Sequence, residues 1–388
     1  MRIFLVVLSL ISLRAPAQQT FESFIPARST GKLPMLAYGL GQDRLGGAKM
    51  GYIDTNVLLK VIDSTVDLYK VKLSVGHTAF INKENLRPDT ITRVRSFYLT
   101  NSWSVKGDNT YDFVTINMDE RLPYKSWMEV SPSKIMIDLY GVQSNTNWIT
   151  QLQNAQEIKQ VNFNQVEDDV VRVSIDLKHA QHWGYTINYV GNNLVVRIRR
   201  QPTDLRFKKL KIAVDAGHGG SNTGAAGSKS NTFEKDYTLR FADELQQYLE
   251  RKGSRVIMTR TSDTNIINND RVLFLQQEMP VLLISLHLNS SANAAIKGVS
   301  TYYKHIGFKP LTTAVLNRML QLNLNEFGNV GNFNFTLSAP TDFPNALVEI
   351  AFLSNAEDEK RILDPRFQRA VAKKIYRGIK DWLREVKD

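Results

Sequence analysis

The sequence predicts an α/β C-terminal domain, with a mostly parallel sheet flanked by helices, preceded by two all-β modules. From residue 209 onward, strand-like apolar runs alternate with amphipathic helical segments, which favours a parallel sheet covered on both faces. Residues 30–200 contain short β-branched and aromatic runs without comparable helical periodicity. Between these regions, the polar and basic stretch 201–208 contains Pro202 and is typical of a linker.

Length and composition limit the classes of protein that fit. The chain has 388 residues, enough for two or three domains, and 43% of them are hydrophobic. It has no cysteine, which excludes disulfides, thiolate metal sites and a lipid-anchored cysteine, so that any metal must be held by His, Asp or Glu. The net charge of +11 favours binding to anionic surfaces, although a basic surface that only keeps the protein soluble explains it equally well. No basic stripe interleaved with aromatics points to nucleic acid.

The N-terminus has the pattern of a Sec-type signal peptide. Arg2 precedes an apolar run over residues 3–13, and Ala15 and Ala17 provide the small residues that signal peptidase reads. The run is too short to span a bilayer. We therefore expect residues 1–17 to be removed and the mature protein to be exported to the periplasm or cell envelope, without a transmembrane segment. A buried first strand or helix is the alternative.

The two predicted β modules each resemble a known domain. In residues 30–90, the runs VLLKV and LYKVKL and the closing segment AFINKENL resemble a small bacterial SH3-like barrel. In residues 91–200, the segments KIMIDLYGV, VVRVSIDLK and NNLVVRIRR resemble the AMIN-type β-sandwich found ahead of cell-wall amidases. This resemblance implies that the β modules bind an anchor or activator at the envelope. We interpret His77 as a surface residue and His179 and His182 as turn residues, although the H-x-x-H spacing of the last two leaves a metal site open.

Four polar residues fall at related positions of the predicted α/β domain. His218 follows the first strand in KIAVDAGHGG, and His287 ends the apolar strand VLLISLH. Glu349 lies within ALVEIAFL, a further buried strand, and Glu234 begins the first helix after the glycine-rich loop 219–231. Because the carboxyl ends of neighbouring parallel strands share one edge of the sheet, we expect these side chains to meet there.

Two imidazoles and one carboxylate around an open position are the ligands of a hydrolytic zinc site. Zinc lowers the pKa of its water to about 7, and a second carboxylate then carries the proton to the leaving group. Glu349 suits that second role, because a glutamate within an apolar strand is costly to bury without a partner. Taken singly, each residue has a simpler explanation: His218 as an ordinary loop residue, Glu234 as a helix-start carboxylate, His287 as a core histidine, and Glu349 as the partner of a distant lysine or arginine.

The ordered motifs VDAGHGG, EKDYTLRFADEL, TRTSD, SLHLNSS and ALVEIAFLSNAEDE resemble the zinc-dependent N-acetylmuramoyl-L-alanine amidases, from about Lys208 to the C-terminus. By matched position, the resemblance implies one Zn²⁺ ion held by His218, Glu234 and His287, with Glu349 as the catalytic glutamate. It also implies that the substrate is peptidoglycan, cleaved at the amide between N-acetylmuramic acid and the L-alanine of the stem peptide.

Other positions match or depart from the family's pattern. We interpret as structural the three residues that match its RT.D…R pattern, which are Arg260, Asp263 and Arg271. Leu288 and Asn289 stand where the family often has Ala-Asn, and Asn289 is our candidate substrate-binding residue. The segment FNFTLSAPTDFPNALVE also departs from the family. The stretch LTTAVLNRMLQLNLNEF predicts one ordinary helix, so we expect no autoinhibitory insertion before Glu349.

Two further functions stay open from the sequence alone. The first is that of another cell-wall zinc hydrolase, such as a peptidase, which would use the same ligands. The second is that of a non-catalytic peptidoglycan-binding protein that has kept the fold. The complete set of four site residues favours the enzyme, since a decayed one usually loses a member of its set.

Overall fold

The structure is a computed structural model that describes residues 23–40, 49–152 and 154–387. The predicted signal peptide, residues 1–17, lies outside these ranges. Among the described residues, no helix combines the length and the apolar character needed to cross a bilayer.

The first β unit (residues 25–88) is one seven-stranded sheet in the order β3-β2-β6-β5-β4-β1-β7, with every pair antiparallel. Leu59, Val71 and Ile81, from three neighbouring strands, are buried in its core. The all-β prediction is confirmed, and the SH3-like resemblance stays a prediction. Its strands are β1 (Ile25–Ser29), β2 (Met35–Ala37), β3 (Lys49–Tyr52), β4 (Leu58–Ser64), β5 (Leu68–Lys72), β6 (Thr78–Asn82) and β7 (Leu86–Pro88).

The second β unit (residues 98–199) consists of two sheets, ordered β10-β11-β15-β14 and β12-β8-β9-β17-β16, with β13 also paired to β8. Strict alternation of buried and half-buried residues in β9 and β17 gives the inner face that two packed sheets require. The predicted pair of packed sheets is therefore confirmed. The strands are β8 (Tyr98–Gly107), β9 (Tyr111–Met118), β10 (Tyr124–Val130), β11 (Ser133–Tyr140), β12 (Val142–Ser144), β13 (Ile149–Gln151), β14 (Ile158–Glu167), β15 (Val170–Leu177), β16 (Tyr185–Val190) and β17 (Asn193–Arg199).

The α/β unit (residues 211–387) has a six-stranded sheet in the order β19-β18-β20-β23-β21-β22. All neighbours are parallel except β21 and β23, which confirms a mostly parallel sheet. Its strands are β18 (Lys211–Ala216), β19 (Arg255–Met258), β20 (Leu282–Asn289), β21 (Val299–Tyr302), β22 (Glu326–Val330) and β23 (Asn345–Phe352). Its helices are α1 (Glu234–Arg251), α2 (Asn268–Glu278), α3 (Lys309–Met319), α4 (Ala356–Ile362) and α5 (Pro365–Glu385).

The long helices form because their apolar residues recur at helical spacing. In α1, Phe241, Leu245 and Leu249 are fully buried four residues apart, so one stripe faces the sheet. Each such side chain contributes about 1.5–3 kcal/mol of transfer free energy. The start of α5 is fixed by Asp364, whose carboxylate accepts from the backbone of Arg366, and by a proline at the first turn.

The helix predicted over LTTAVLNRMLQLNLNEF is wrong in its second half. Helix α3 ends at Met319, a 3-10 turn covers Leu320–Leu322, and Asn323 takes a left-handed φ of 55°. The chain then continues as β22, which pairs with β21 at the edge of the sheet. The left-handed residue stops the helix, because a helix cannot continue through that conformation.

Candidate metal centre

Glycines in the loop after β18 leave space for the predicted ligands. A Cβ atom on Gly217 would lie 2.3 Å from Cε1 of His287. Gly224 has a φ of 67°, and a Cβ atom there would lie 2.4 Å from Oε2 of Glu234. His218 itself has a φ of 62°, an uncommon conformation for a residue with a side chain. Only glycine permits such close approach, so this backbone is shaped around the three side chains.

The structure brings the three predicted ligands together. Oε1 of Glu234 lies 3.1 Å from Nε2 of His218 and 3.0 Å from Nδ1 of His287. One potential ligand atom from each residue lies within 4.8 Å of the others, and the two imidazole ring centroids are 5.0 Å apart. The predicted convergence of these residues is therefore observed.

Hydrogen bonds orient the side chains of Glu234 and His218. Oε2 of Glu234 accepts from the backbone N–H of Ala225 at 2.9 Å, and Oε1 accepts from that of Leu288 at 3.0 Å. Nδ1 of His218 lies 2.8 Å from Oδ1 of Asn222, which leaves its Nε2 directed at Glu234. Partners of this kind hold metal ligands in place in known metal sites.

The charges of the cluster suit a cation. Burial raises the pKa of Glu234, but hydrogen bonds from His218 and His287 outweigh it and hold that pKa well below its ordinary value. Burial lowers the pKa of His287, and the Glu234 carboxylate more than offsets this and raises it to about 9. An ionised carboxylate between two imidazoles favours positive charge at their common centre. Two nitrogen donors and one oxygen donor are also what zinc prefers, so the residues present fit that metal.

Glu349 lies beside this cluster. It is adjacent to His287 in the parallel register of β20 and β23, and opposite Ser300 on the other side. Residues paired across neighbouring strands point to the same face, so Glu349 shares the face of His287. Glu349 is 7% exposed, and its charge adds to the rise in the pKa of His287. A second carboxylate therefore borders the three grouped residues, as the sequence predicts.

A buried ion pair supports the loop that carries His218. Oδ1 of Asp215 accepts from Arg271 at 2.7 Å and from Thr259 at 2.6 Å, and Oδ2 accepts from Ser285 at 2.6 Å. Arg271 also donates to the carbonyl oxygens of Ala216 and His218. Sequence reasoning missed Asp215, although an aspartate in the apolar strand KIAVDA is a recognisable signal. Arg271, interpreted from sequence as structural, is 2% exposed.

Arg260 and Asp263 support the same loop. Arg260 is 3% exposed and donates to the carbonyl oxygens of Ala216 at 2.9 Å and Gly217 at 3.0 Å. Asp263 accepts from the backbone N–H of Gly220 and from Nζ of Lys235, both at 2.6 Å. These contacts agree with the structural interpretation of the two residues.

Asp215→Asn is expected to destabilise the chain strongly. It removes one charge of a fully buried pair and leaves Arg271 uncompensated, which costs about 3–5 kcal/mol. Chemical denaturation of the full chain measures this change in the free energy of unfolding. Glu357→Gln is the matched control, because Glu357 is exposed and its half-buried partner Lys297 stays hydrated, and it should leave the free energy of unfolding nearly unchanged. Equal effects of the two substitutions would contradict a structural role for the buried pair.

An aromatic wall borders the cluster. Sequence reasoning treated the segment that carries two of its rings only as a departure from the family. The rings of Phe335 and His287 lie nearly parallel, with centroids 6.3 Å apart and planes 11° apart. Tyr302 contacts Phe335 at 5.3 Å and Phe333 at 4.9 Å. Asn289, the candidate substrate-binding residue, ends β20 half-buried, with its side chain near that of Tyr302.

The remaining histidines that the sequence singled out lie elsewhere. His77 contacts Glu167 at 2.8 Å on the surface, and His179 contacts Glu157 at 2.6 Å. His182 is buried, with its Nε2 2.7 Å from the carbonyl oxygen of Glu129, and burial lowers its pKa. Within the described residues, the only group of three ligand-type side chains close enough to share a metal is the one around Glu234.

Comparison with known proteins agrees with this geometry. The family model for N-acetylmuramoyl-L-alanine amidase matches residues 212–381, within the α/β unit. The AMIN domain model matches residues 103–198, within the second β unit. The amidase and AMIN resemblances noted from the sequence are thereby confirmed.

Two relatives and one solved structure illustrate the match. The probable cell wall amidase LytH of Staphylococcus saprophyticus is 30% identical over 197 residues, covering 50% of this chain and 65% of that protein. The catalytic domain of CwlV, an amidase from Bacillus (Paenibacillus) polymyxa, is 29% identical with a TM-score of 0.43, covering 45% of this chain and 98% of that one. The germination-specific N-acetylmuramoyl-L-alanine amidase of Bacillus subtilis is 31% identical over 205 residues, covering 48% of this chain and 86% of that protein. This chain therefore belongs to the N-acetylmuramoyl-L-alanine amidase family.

Proposed function

We propose that the protein is a zinc-dependent hydrolase that cleaves the amide between N-acetylmuramic acid and L-alanine of the peptidoglycan stem peptide. The observation that carries this proposal is the convergence of His218, Glu234 and His287 on one point beside Glu349. That combination offers three metal ligands and one carboxylate for proton transfer, which amide hydrolysis needs. Membership of the amidase family supplies the bond that is cut.

The two imidazoles and the Glu234 carboxylate would hold the metal. A zinc ion there would supply Lewis acidity towards the amide carbonyl and would lower the pKa of the attacking water to about 7. Glu349 takes a proton from the attacking water as the new C–O bond forms. It then returns this proton to the amide nitrogen as the C–N bond breaks, so that the peptide leaves with a neutral amine. Asn222 and the loop backbone hold His218 in register.

In this proposal, the regions that precede the catalytic domain place the enzyme in the cell envelope. Residues 1–17 direct export to the periplasm or cell envelope. The units over residues 30–90 and 91–200 hold the enzyme at the wall, and the linker 201–208 leads into the catalytic domain over residues 209–388. Asn289 binds substrate at the end of β20, where its half-buried side chain borders the aromatic wall.

Digestion of isolated sacculi by the mature full chain tests this function. We expect intact stem peptides with a free L-alanine amine in the mass spectrum of the soluble products, and no product when a chelator is present. Glu349→Gln protein is the matched control, and should release these peptides about 10²- to 10⁴-fold more slowly. Cuts within the stem peptide would instead identify a peptidase, and tight binding without product would identify a wall-binding protein; either result overturns the proposal.

A further inference from the structure

The loop between β22 and β23 (residues 331–344, the cleft loop) forms one wall of the candidate site. Its Phe335 lies nearly parallel to the ring of His287 and contacts Tyr302. Phe333, two residues earlier, packs on both aromatic rings, with centroids 4.5 Å from Phe335 and 4.9 Å from Tyr302. The position of Phe335 therefore determines the space next to His287.

A lysine from the first β unit holds the cleft loop on both sides of Phe335. Nζ of Lys49, the first residue of β3, donates to the carbonyl oxygen of Asn334 at 2.9 Å. It also donates to the hydroxyl of Thr336 at 3.1 Å. Lys304, in the α/β unit, donates to Oδ1 of Asn334 at 2.9 Å and to the carbonyl oxygen of Lys49 itself at 2.9 Å. Two ammonium groups from different units thus hold the residues next to Phe335.

Burial of these two ammonium groups costs free energy, which distinguishes the contact from an ordinary surface contact. Burial lowers the pKa of Lys49. Burial and the charge of Lys49 together lower the pKa of Lys304 to about 8. Both cations lose hydration, and the acceptors they reach in the cleft loop are neutral oxygens. A contact with such a cost needs the surrounding units to hold it in place.

The second β unit holds the far end of the cleft loop. The backbone N–H of Tyr185 donates to the carbonyl oxygen of Thr341, and the Thr341 hydroxyl donates back to the carbonyl of Tyr185, both at 2.8 Å. Gly184 has a φ of 109°, and a Cβ atom there would lie 2.3 Å from the carbonyl oxygen of Asp342. A cavity of about 190 Å³, lined by residues of all three units, lies at this junction. The loop therefore contacts both β units as well as its own.

We propose that the N-terminal β units complete the catalytic cleft, with Lys49 as a positioning residue that fixes Phe335 against His287 and so places the substrate. This inference rests on the proposed function, and it assigns to the first β unit a task beyond holding the enzyme at the wall. The ammonium of Lys49 donates to Asn334 and Thr336 on either side of Phe335, so it acts through the cleft loop. Removal of its ammonium should loosen Phe335 without removing the metal ligands.

Hydrogen exchange of the full chain, read by mass spectrometry, tests the contact without relying on activity. Lys49→Met should speed exchange of peptides that cover residues 331–344. Lys83→Met is the matched control, because it removes the same charge from the same unit. The ammonium of Lys83 lies over Tyr69, within the first β unit. It should leave those peptides unchanged. Unaltered exchange in Lys49→Met, or equal change in both variants, overturns the proposal.

A double-mutant cycle on a soluble muropeptide tests the consequence for turnover. We expect Lys49→Met to lower kcat/KM roughly tenfold, because a small misplacement of a positioning group is costly. Zinc content and Tm should match those of Lys83→Met. Combined with Phe335→Ala, Lys49→Met should add no further loss, since both act through one ring. Additive losses overturn the proposal. If the unaltered chain itself has no amidase activity, the proposed function fails, and hydrogen exchange alone then decides the role of Lys49.

Discussion

Glu349→Gln is expected to lower turnover by about 10²- to 10⁴-fold, the usual contribution of a general acid–base group. The amide keeps the size of the carboxylate but cannot accept a proton from water or return one to the leaving nitrogen. Because Glu349 lies beside the three proposed ligands rather than among them, the variant should bind as much zinc as the unaltered chain. Steady-state kinetics on a muropeptide and elemental analysis of the same preparation measure both quantities.

Glu326→Gln provides the control for this substitution. Glu326 is an exposed glutamate at the start of the edge strand β22, so its loss should change neither kcat nor zinc content. Hydrolysis at the unaltered rate by Glu349→Gln would remove Glu349 from the mechanism. Loss of zinc from that variant would instead make Glu349 part of the metal site.

His218→Ala is expected to abolish both metal binding and hydrolysis. It removes one of three ligands, and a site with two ligands holds zinc much more weakly. Alanine is also strained at the φ of 62° that His218 adopts, so this substitution disturbs the backbone as well as removing a ligand. His218→Asn separates the two effects, because asparagine tolerates a left-handed backbone but lacks the imidazole. Both variants should therefore be purified without zinc.

His77→Ala is the control, since His77 lies on the surface and pairs with Glu167 in the second β unit. It should keep one zinc ion per chain. Full zinc occupancy in His218→Asn, measured by elemental analysis after dialysis, would exclude His218 from the metal site.

The α/β sheet and its helices are predictable because local patterns encode them. The apolar run of β18 ends in glycines, and the four-residue spacing of buried side chains in α1 marks a helix that packs on one face. The end of α3 is less predictable, because LQLNL fits a helix as well as an edge strand. A single left-handed residue, Asn323, decides between them.

The candidate site likewise has some contacts that the sequence predicts and others that it does not. His218, Glu234 and His287 can be placed together from sequence, since the ends of parallel strands share one edge. The contact of Lys49 with Asn334 joins residues 285 positions apart, in two separate units, and no local periodicity encodes it. The pairing of Asp215 with Arg271 is likewise a long-range contact, although the buried aspartate itself is visible in the strand.

Anomalous X-ray scattering at the zinc edge, from crystals of the full chain, tests the central claim most directly. We expect one anomalous peak per chain, within about 2.0–2.2 Å of Nε2 of His218, of a ring nitrogen of His287 and of a Glu234 oxygen, the distances usual for zinc. Glu349 should lie next to the peak without bonding to it. A peak bound by other residues, or no peak in protein that hydrolyses peptidoglycan, would contradict the account.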